Sequence, residues 1–120
     1  MTLAIKGRTA VITGAASGIG RALALEAAGL GMLLALADNN VSALATLVDE
    51  LPPASVCCSQ VVDVRDRQAL NTFAEAVNTH GESIALVFAN AGVMRAGTSW
   101  KLAASDWDLV FDVNVKGVMH

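Results

Sequence analysis

The sequence has no tyrosine, and its aromatic content is three phenylalanines and two tryptophans. No phenolic acid/base can therefore come from these residues. Charged side chains are scarce, at 16%, against about a quarter in ordinary globular chains. The basic ones are scattered singly and the net charge is −3. No patch would gather phosphates along a backbone, which excludes a nucleic-acid partner. The only cysteines are adjacent, Cys57 and Cys58. Neighbours on a strand point to opposite faces, so a disulfide between them would be strained. Both are expected as reduced core thiols of a cytoplasmic protein. Long apolar runs are missing too. The longest, from Ala27 to Ala37, is too short to cross a bilayer, so no membrane partner is expected. Lys6 and Arg8 are followed by an apolar run that Thr13 and Gly14 soon break, which argues against a signal peptide.

What is present is an apolar fraction of 54%, much of it Ala, Val and Leu. That composition suits a sheet buried on both faces. Strand-length apolar runs alternate with segments of helical period. The pattern predicts strands over Arg8 to Thr13, Met32 to Ala37, Val56 to Val62 and Ile84 to Ala89. Helices are predicted between them. The first runs from Gly18 to Leu30, with Ile19, Leu23, Ala27 and Leu30 at helical spacing. The second carries Val41, Leu44, Val48 and Leu51, is capped by Asn39 or Asn40, and is stopped by Pro52 and Pro53. The third runs from Asp66 to His80, with Leu70, Phe73 and Val77 inward and Gly81 at its stop. A capping box, Ser105-Asp-Trp-Asp108, opens a fourth, with Trp107, Val110, Phe111, Asn114 and Val118 on one side. Within it, Asp112 and Lys116 form a supportive pair.

This alternation predicts an α/β fold, a doubly wound parallel sheet of Rossmann type with strand order 3-2-1-4. The ligand crevice then lies between the first and fourth strands, where the winding reverses. The fourth helix is still running at Met119, and the fourth strand would be an uncovered apolar edge. The expectation is that residues 1–120 form the N-terminal part of a single dinucleotide-binding domain.

The strongest motif is Thr13-Gly-Ala-Ala-Ser-Gly-Ile-Gly20, between the first strand and first helix. Small residues let the backbone approach a pyrophosphate, and the amides and positive end of the helix hold the anion. The spacing is neither the common dinucleotide fingerprint nor a P-loop, which would need a Lys after the last Gly. Asp38 closes the second strand, about 20 residues on, where an acid accepts hydrogen bonds from the ribose hydroxyls. A 2′-phosphate there would meet a like charge, no basic residue stands beside it, and position 17 is Ser. NAD is therefore expected over NADP.

With these residues in view, the chain resembles the short-chain dehydrogenases/reductases, in their common short branch, over essentially its whole length. Thr13 to Gly20, with Gly14, Ser17, Gly18 and Ile19 inside it, matches the family's T-G-x-x-x-G-x-G. Asp38 matches its cofactor-selecting acid. The resemblance implies that Asp63 and Val64 contact the adenine ring. It implies that Asn90-Ala91-Gly92 ends the fourth strand beside the cofactor, with Ala89 replacing the family's usual first Asn. It also implies that Asn114 is the active-site Asn, helping to hold a proton-relay water. The intact protein would then be an NAD-dependent oxidoreductase acting on a small alcohol or ketone, and a homo-oligomer. The family's catalytic Ser, Tyr and Lys have no match here. Ser99 and Ser105 precede Asn114, and no Tyr is present, so this chain by itself is expected to be inert. Met94 and Trp100 would flank the substrate side. Two other readings are open to these residues: a non-catalytic NAD-binding module or assembly partner of full-length relatives, and a methyltransferase. The Thr before the first Gly, the Gly spacing and the Asn90-Ala91-Gly92 segment argue against the methyltransferase.

Overall fold

The computed structural model describes residues 4–80, 83–93 and 101–119. The predicted positions Gly81, Met94, Ser99 and Trp100 lie outside the described residues. Four parallel strands, β1 (Thr9–Thr13), β2 (Leu33–Asp38), β3 (Val56–Val61) and β4 (Ile84–Phe88), are ordered 3-2-1-4. The reversal between β1 and β4 leaves a crevice at their C-terminal ends, where an open α/β sheet receives its ligand.

Helices α1 (Gly18–Gly29) and α2 (Val41–Glu50) cover one face of the sheet. Their core is built on Ala10, Ile12, Ala24, Leu34, Leu36, Leu44 and Leu47. Helix α3 (Arg67–Thr79) covers the other face with Phe73 and Val77. Asn40 caps α2 by accepting the Ala43 amide at 3.0 Å, and Asp66 caps α3 by accepting that of Ala69 at 3.1 Å. Within α1 the buried face is Gly20, Ala24 and Ala27, while Ile19 and Leu30 are exposed. Small residues let this helix lie close to the sheet, so its larger side chains go to the periphery.

The chain becomes helical again in α4 (Ala104–Phe111), continues through a π-helical turn (Asp112–Lys116) and ends in α5 (Gly117–Met119). The expected Asp112–Lys116 pair forms, at 3.4 Å. Two expectations for this segment fail. The capping box does not form: the cap is Ala103, whose carbonyl receives the Asp106 and Trp107 amides, and Ser105 lies inside the first turn. Asp106 still favours that turn by its charge near the positive helix end. Nor do Trp107, Phe111 and Val118 face inward; each is at least half exposed. The inner side is Leu109, Val110 and Val113, because apolar residues occur all round this helix and the π turn shifts its phase.

Cys57 and Cys58 form no disulfide and are only half-buried. They do not take opposite faces. The β2–β3 register skips between Leu34↔Val56 and Ala35↔Cys58, a bulge that packs both thiols near Phe73 and Val77. Burial, and then its neighbour Cys57, push the Cys58 thiol up.

Thr9 is fully enclosed in β1, yet its hydroxyl has no hydrogen-bond partner. An unpaired buried hydroxyl is destabilising, and Val has nearly the same shape without it. Thr9→Val is expected to add about 1 kcal/mol of stability. The check is urea unfolding, as a higher midpoint at an unchanged slope.

Candidate functional site

An open groove of about 350 Å³ lies at the C-terminal ends of the strands. Of the residues singled out in the sequence, Gly14, Ser17, Gly18, Ile19, Asp38, Asp63, Val64, Asn90, Ala91 and Gly92 line it. Thr13, Gly20 and Asn114 do not; each holds a lining segment from behind.

The turn after β1 is built for close approach. Gly14 has φ of +63°, and a Cβ there would stand 2.8 Å from the Ala91 Cα. A Cβ on Gly20 would fall 2.0 Å from the Gly14 carbonyl oxygen. Only hydrogen fits at either place, so the loop, the start of α1 and the end of β4 are in direct backbone contact. Ser17, the first residue before α1, is extended, and its side chain does not cap the helix. The positive end of α1 therefore opens into the groove with no acid in its own first turn.

Two side chains fasten this turn to β4. The Thr13 hydroxyl accepts the Asn90 and Ala91 amides, at 3.1 and 3.2 Å. The Asn90 side-chain amide donates back to the Thr13 and Gly14 carbonyls, at 3.3 and 3.2 Å. The Asn90 side-chain nitrogen is thus spent on the protein. Asn114 is fastened likewise. Its Oδ1 accepts the Val93 amide and its Nδ2 donates to the Val93 carbonyl, both at 2.8 Å. The π turn carries that side chain, which pins the strand exit beside Gly92.

Asp38 is 9% exposed at the end of β2. Its two carboxylate oxygens accept the Ala16 and Asn40 amides, each at 2.9 Å. These bonds fix its orientation and leave acceptor positions toward the groove. Asp63, after β3, lies beyond it. Its Arg65 partner holds the Asp63 carboxyl below the usual carboxylate range, against the burial that pushes it up. The stabilisation from that pair is present at neutral pH and fades as pH falls through the lowered range.

Asn39, Val62, Arg65, Val93, Leu109 and Val113 also line the groove, and none was expected as a site residue from the sequence. Arg65 was legible, as the one cation next to the Asp63-Val64 pair. Leu109 and Val113 were hidden by the misjudged face of the fourth helix. Gly117, behind the groove, was also missed: a Cβ there would sit 2.6 Å from a Val64 methyl. Among the described residues no group of His, Cys, Asp and Glu could hold a metal, and no helix is long and apolar enough to cross a membrane.

A family model described as short chain dehydrogenase matches residues 8–120. A short chain dehydrogenase/reductase of Burkholderia phymatum, solved in complex with NAD, is 43% identical. It superposes with a TM-score of 0.91 over 99% of this chain and 43% of its own. SadH of Mycobacterium tuberculosis is 38% identical over 96% of this chain and 42% of its own length. The NADPH-dependent pterin aldehyde reductase of Arabidopsis thaliana is 31% identical, over 97% of this chain and 48% of its own. The chain therefore spans less than half the length of these relatives.

Proposed function

From the premise that the chain belongs to the short-chain dehydrogenase family, whose members bind NAD or NADP, we propose that it forms the dinucleotide-holding part of an NAD-dependent oxidoreductase. The whole protein would act on a small alcohol or ketone, as a cytoplasmic homo-oligomer, and residues 1–120 would be the N-terminal part of one dinucleotide-binding domain. The observation that carries the NAD reading is Asp38. It is a buried carboxylate, oriented by two backbone amides, in the same groove as the uncapped end of α1.

The roles follow the groove. Gly14, Ser17, Gly18, Ile19 and Gly20 admit and hold the pyrophosphate at the helix end. Asp38 accepts from the adenosine ribose hydroxyls. Asp63 and Val64 border the base. Thr13, Asn90, Ala91 and Gly92 shape the floor toward the reacting end. The bound dinucleotide supplies the hydride acceptor or donor. Asn114, the catalytic residue of this part, has its side chain fastened to Val93 through one donor and one acceptor. Its second amide hydrogen or its backbone would help to hold a proton-relay water. A like charge at Asp38 repels a 2′-phosphate, which selects NAD although one relative is named for NADPH.

The test is fluorescence titration of the chain with NADH and NADPH. The expected result is tighter NADH binding by about tenfold or more. Equal or tighter NADPH binding refutes the NAD assignment. The same chain, mixed with NAD and secondary alcohols, is expected to give no turnover above a blank.

A further inference from the structure

The only two thiols of the sequence are neighbours, and the fold turns them the same way. On a regular strand Cys57 and Cys58 would point to opposite faces. In β3 the register against β2 skips between Leu34↔Val56 and Ala35↔Cys58, so Cys57 is the extra residue of a bulge. Val56 packs with the core under α1 and α2, whereas Cys57 and Cys58 both pack with Ala35, Phe73 and Val77 under α3. The Cys57 thiol is held there by donating to the Leu34 carbonyl at 3.3 Å.

What such a pair takes is decided by access and by ligand count. Strand β3 is an outer strand of the described sheet, and both thiols are half-buried, so a small molecule reaches them from the side. Burial pushes the Cys58 thiol up, which makes it a poor nucleophile toward a reagent that attacks one sulfur. A ligand that grips two sulfurs at once is favoured instead. Among the described residues no group of three His, Cys, Asp or Glu could hold a metal, whereas zinc takes three or four protein ligands. A trivalent arsenical with one organic substituent needs two sulfurs and no more, and arsenic is soft enough to prefer them.

We propose that Cys57 and Cys58 form a two-thiol site for monosubstituted trivalent arsenicals. Capture exchanges two As–OH bonds for two As–S bonds. Each thiol proton leaves with a hydroxide as water, and arsenic stays trivalent, so nothing is oxidised or reduced. The cost on the protein side is the weak bond from Cys57 to the Leu34 carbonyl. The pair lies at the start of β3, away from the groove that begins after its last residue, so the site does not depend on the dinucleotide reading.

The probe is phenylarsine oxide, which water converts to the dihydroxy form. Native mass spectrometry is expected to show one arsenical per chain. Glutathione, a single thiol, then competes for the arsenic. Closing the second As–S bond within one molecule raises its effective concentration, so stripping the native chain is expected to take about a hundredfold more glutathione, or beyond, than stripping Cys57→Ser or Cys58→Ser. A native requirement within about threefold of the variants shows thiols acting singly and overturns the site. Adjacent cysteines in an unfolded chain also close on arsenic, so a second measurement, on the native chain alone, asks what the fold contributes. A ligand that binds the folded state in preference stabilises it. Urea unfolding with phenylarsine oxide present is therefore expected to show a raised midpoint. A lowered or unmoved midpoint shows that the sulfurs diverge in the folded chain, and the inference falls.

Discussion

Gly20→Ala is expected to lower dinucleotide affinity on the order of a hundredfold and to destabilise the chain by about 3 kcal/mol. The added Cβ would fall 2.0 Å from the Gly14 carbonyl oxygen and 2.6 Å from the Asn90 side-chain nitrogen. Neither neighbour can swing aside. The carbonyl is backbone, and the Asn90 amide is held by the Thr13 and Gly14 carbonyls. Either α1 moves off the sheet or the Gly14 turn moves into the groove. The first loses packing around Ala24 and Ala27, and the second displaces the amides proposed to meet the phosphates. A thermal melt and an NADH titration report the two effects separately. A Tm within a degree of the native value would show that the contact relaxes freely, against the geometry described here.

The second large effect is expected at Thr13. Thr13→Val keeps the shape of the side chain and removes the hydroxyl that receives the Asn90 and Ala91 amides. The Asn90 amide retains the Phe88 carbonyl at 2.9 Å, but the Ala91 amide is left with no replacement from the new side chain. Leaving a partly buried donor unpaired costs about 1–3 kcal/mol. A loss of about 2 kcal/mol is therefore expected on urea unfolding. Thr13→Ser restores the acceptor and should recover most of it. Hydrogen exchange at Ala91 should quicken in the Val variant and not in the Ser variant. Equal behaviour of the two variants would show that the methyl group, not the hydroxyl, does the fastening.

The sheet order was legible in the sequence because each apolar run is bounded by turn residues and separated by a helix-length segment. The right-handed crossover then leaves few topologies. The tight turn after β1 was legible because Gly14, Gly18 and Gly20 fall within one short stretch of the chain. What could not be read were relations between distant residues. The sequence spacing of Ile19, Leu23, Ala27 and Leu30 is helical, but the sheet chose Gly20, Ala24 and Ala27 because closeness mattered more than bulk. In the fourth helix, apolar residues at 107, 109, 110, 111, 113 and 118 leave its phase open, and a π turn is not a periodicity that a window detects. The bulge at Cys57 depends on how β3 meets β2, which neither strand encodes alone. Arg65 was passed over for a different reason. A charge beside an acid in a loop reads as a solvated surface pair until the groove around it is seen.

The π turn has a consequence for chain length. A π turn is what an α-helix becomes when it must hold one residue more than its hydrogen-bond ladder was wound for. Removing one residue from Asp112–Lys116 would let the helix rewind to a regular α form, a local gain. Because the turn absorbs the extra residue, the segments on either side would keep their relative phase, and Gly117 would stay against Val64. Asn114 is the one position that cannot be the residue lost, since its side chain holds Val93. The segment is thus a place where the helix tolerates a one-residue deletion more readily than in its regular turns. An alignment that opens a one-residue gap here keeps both ends of the helix paired.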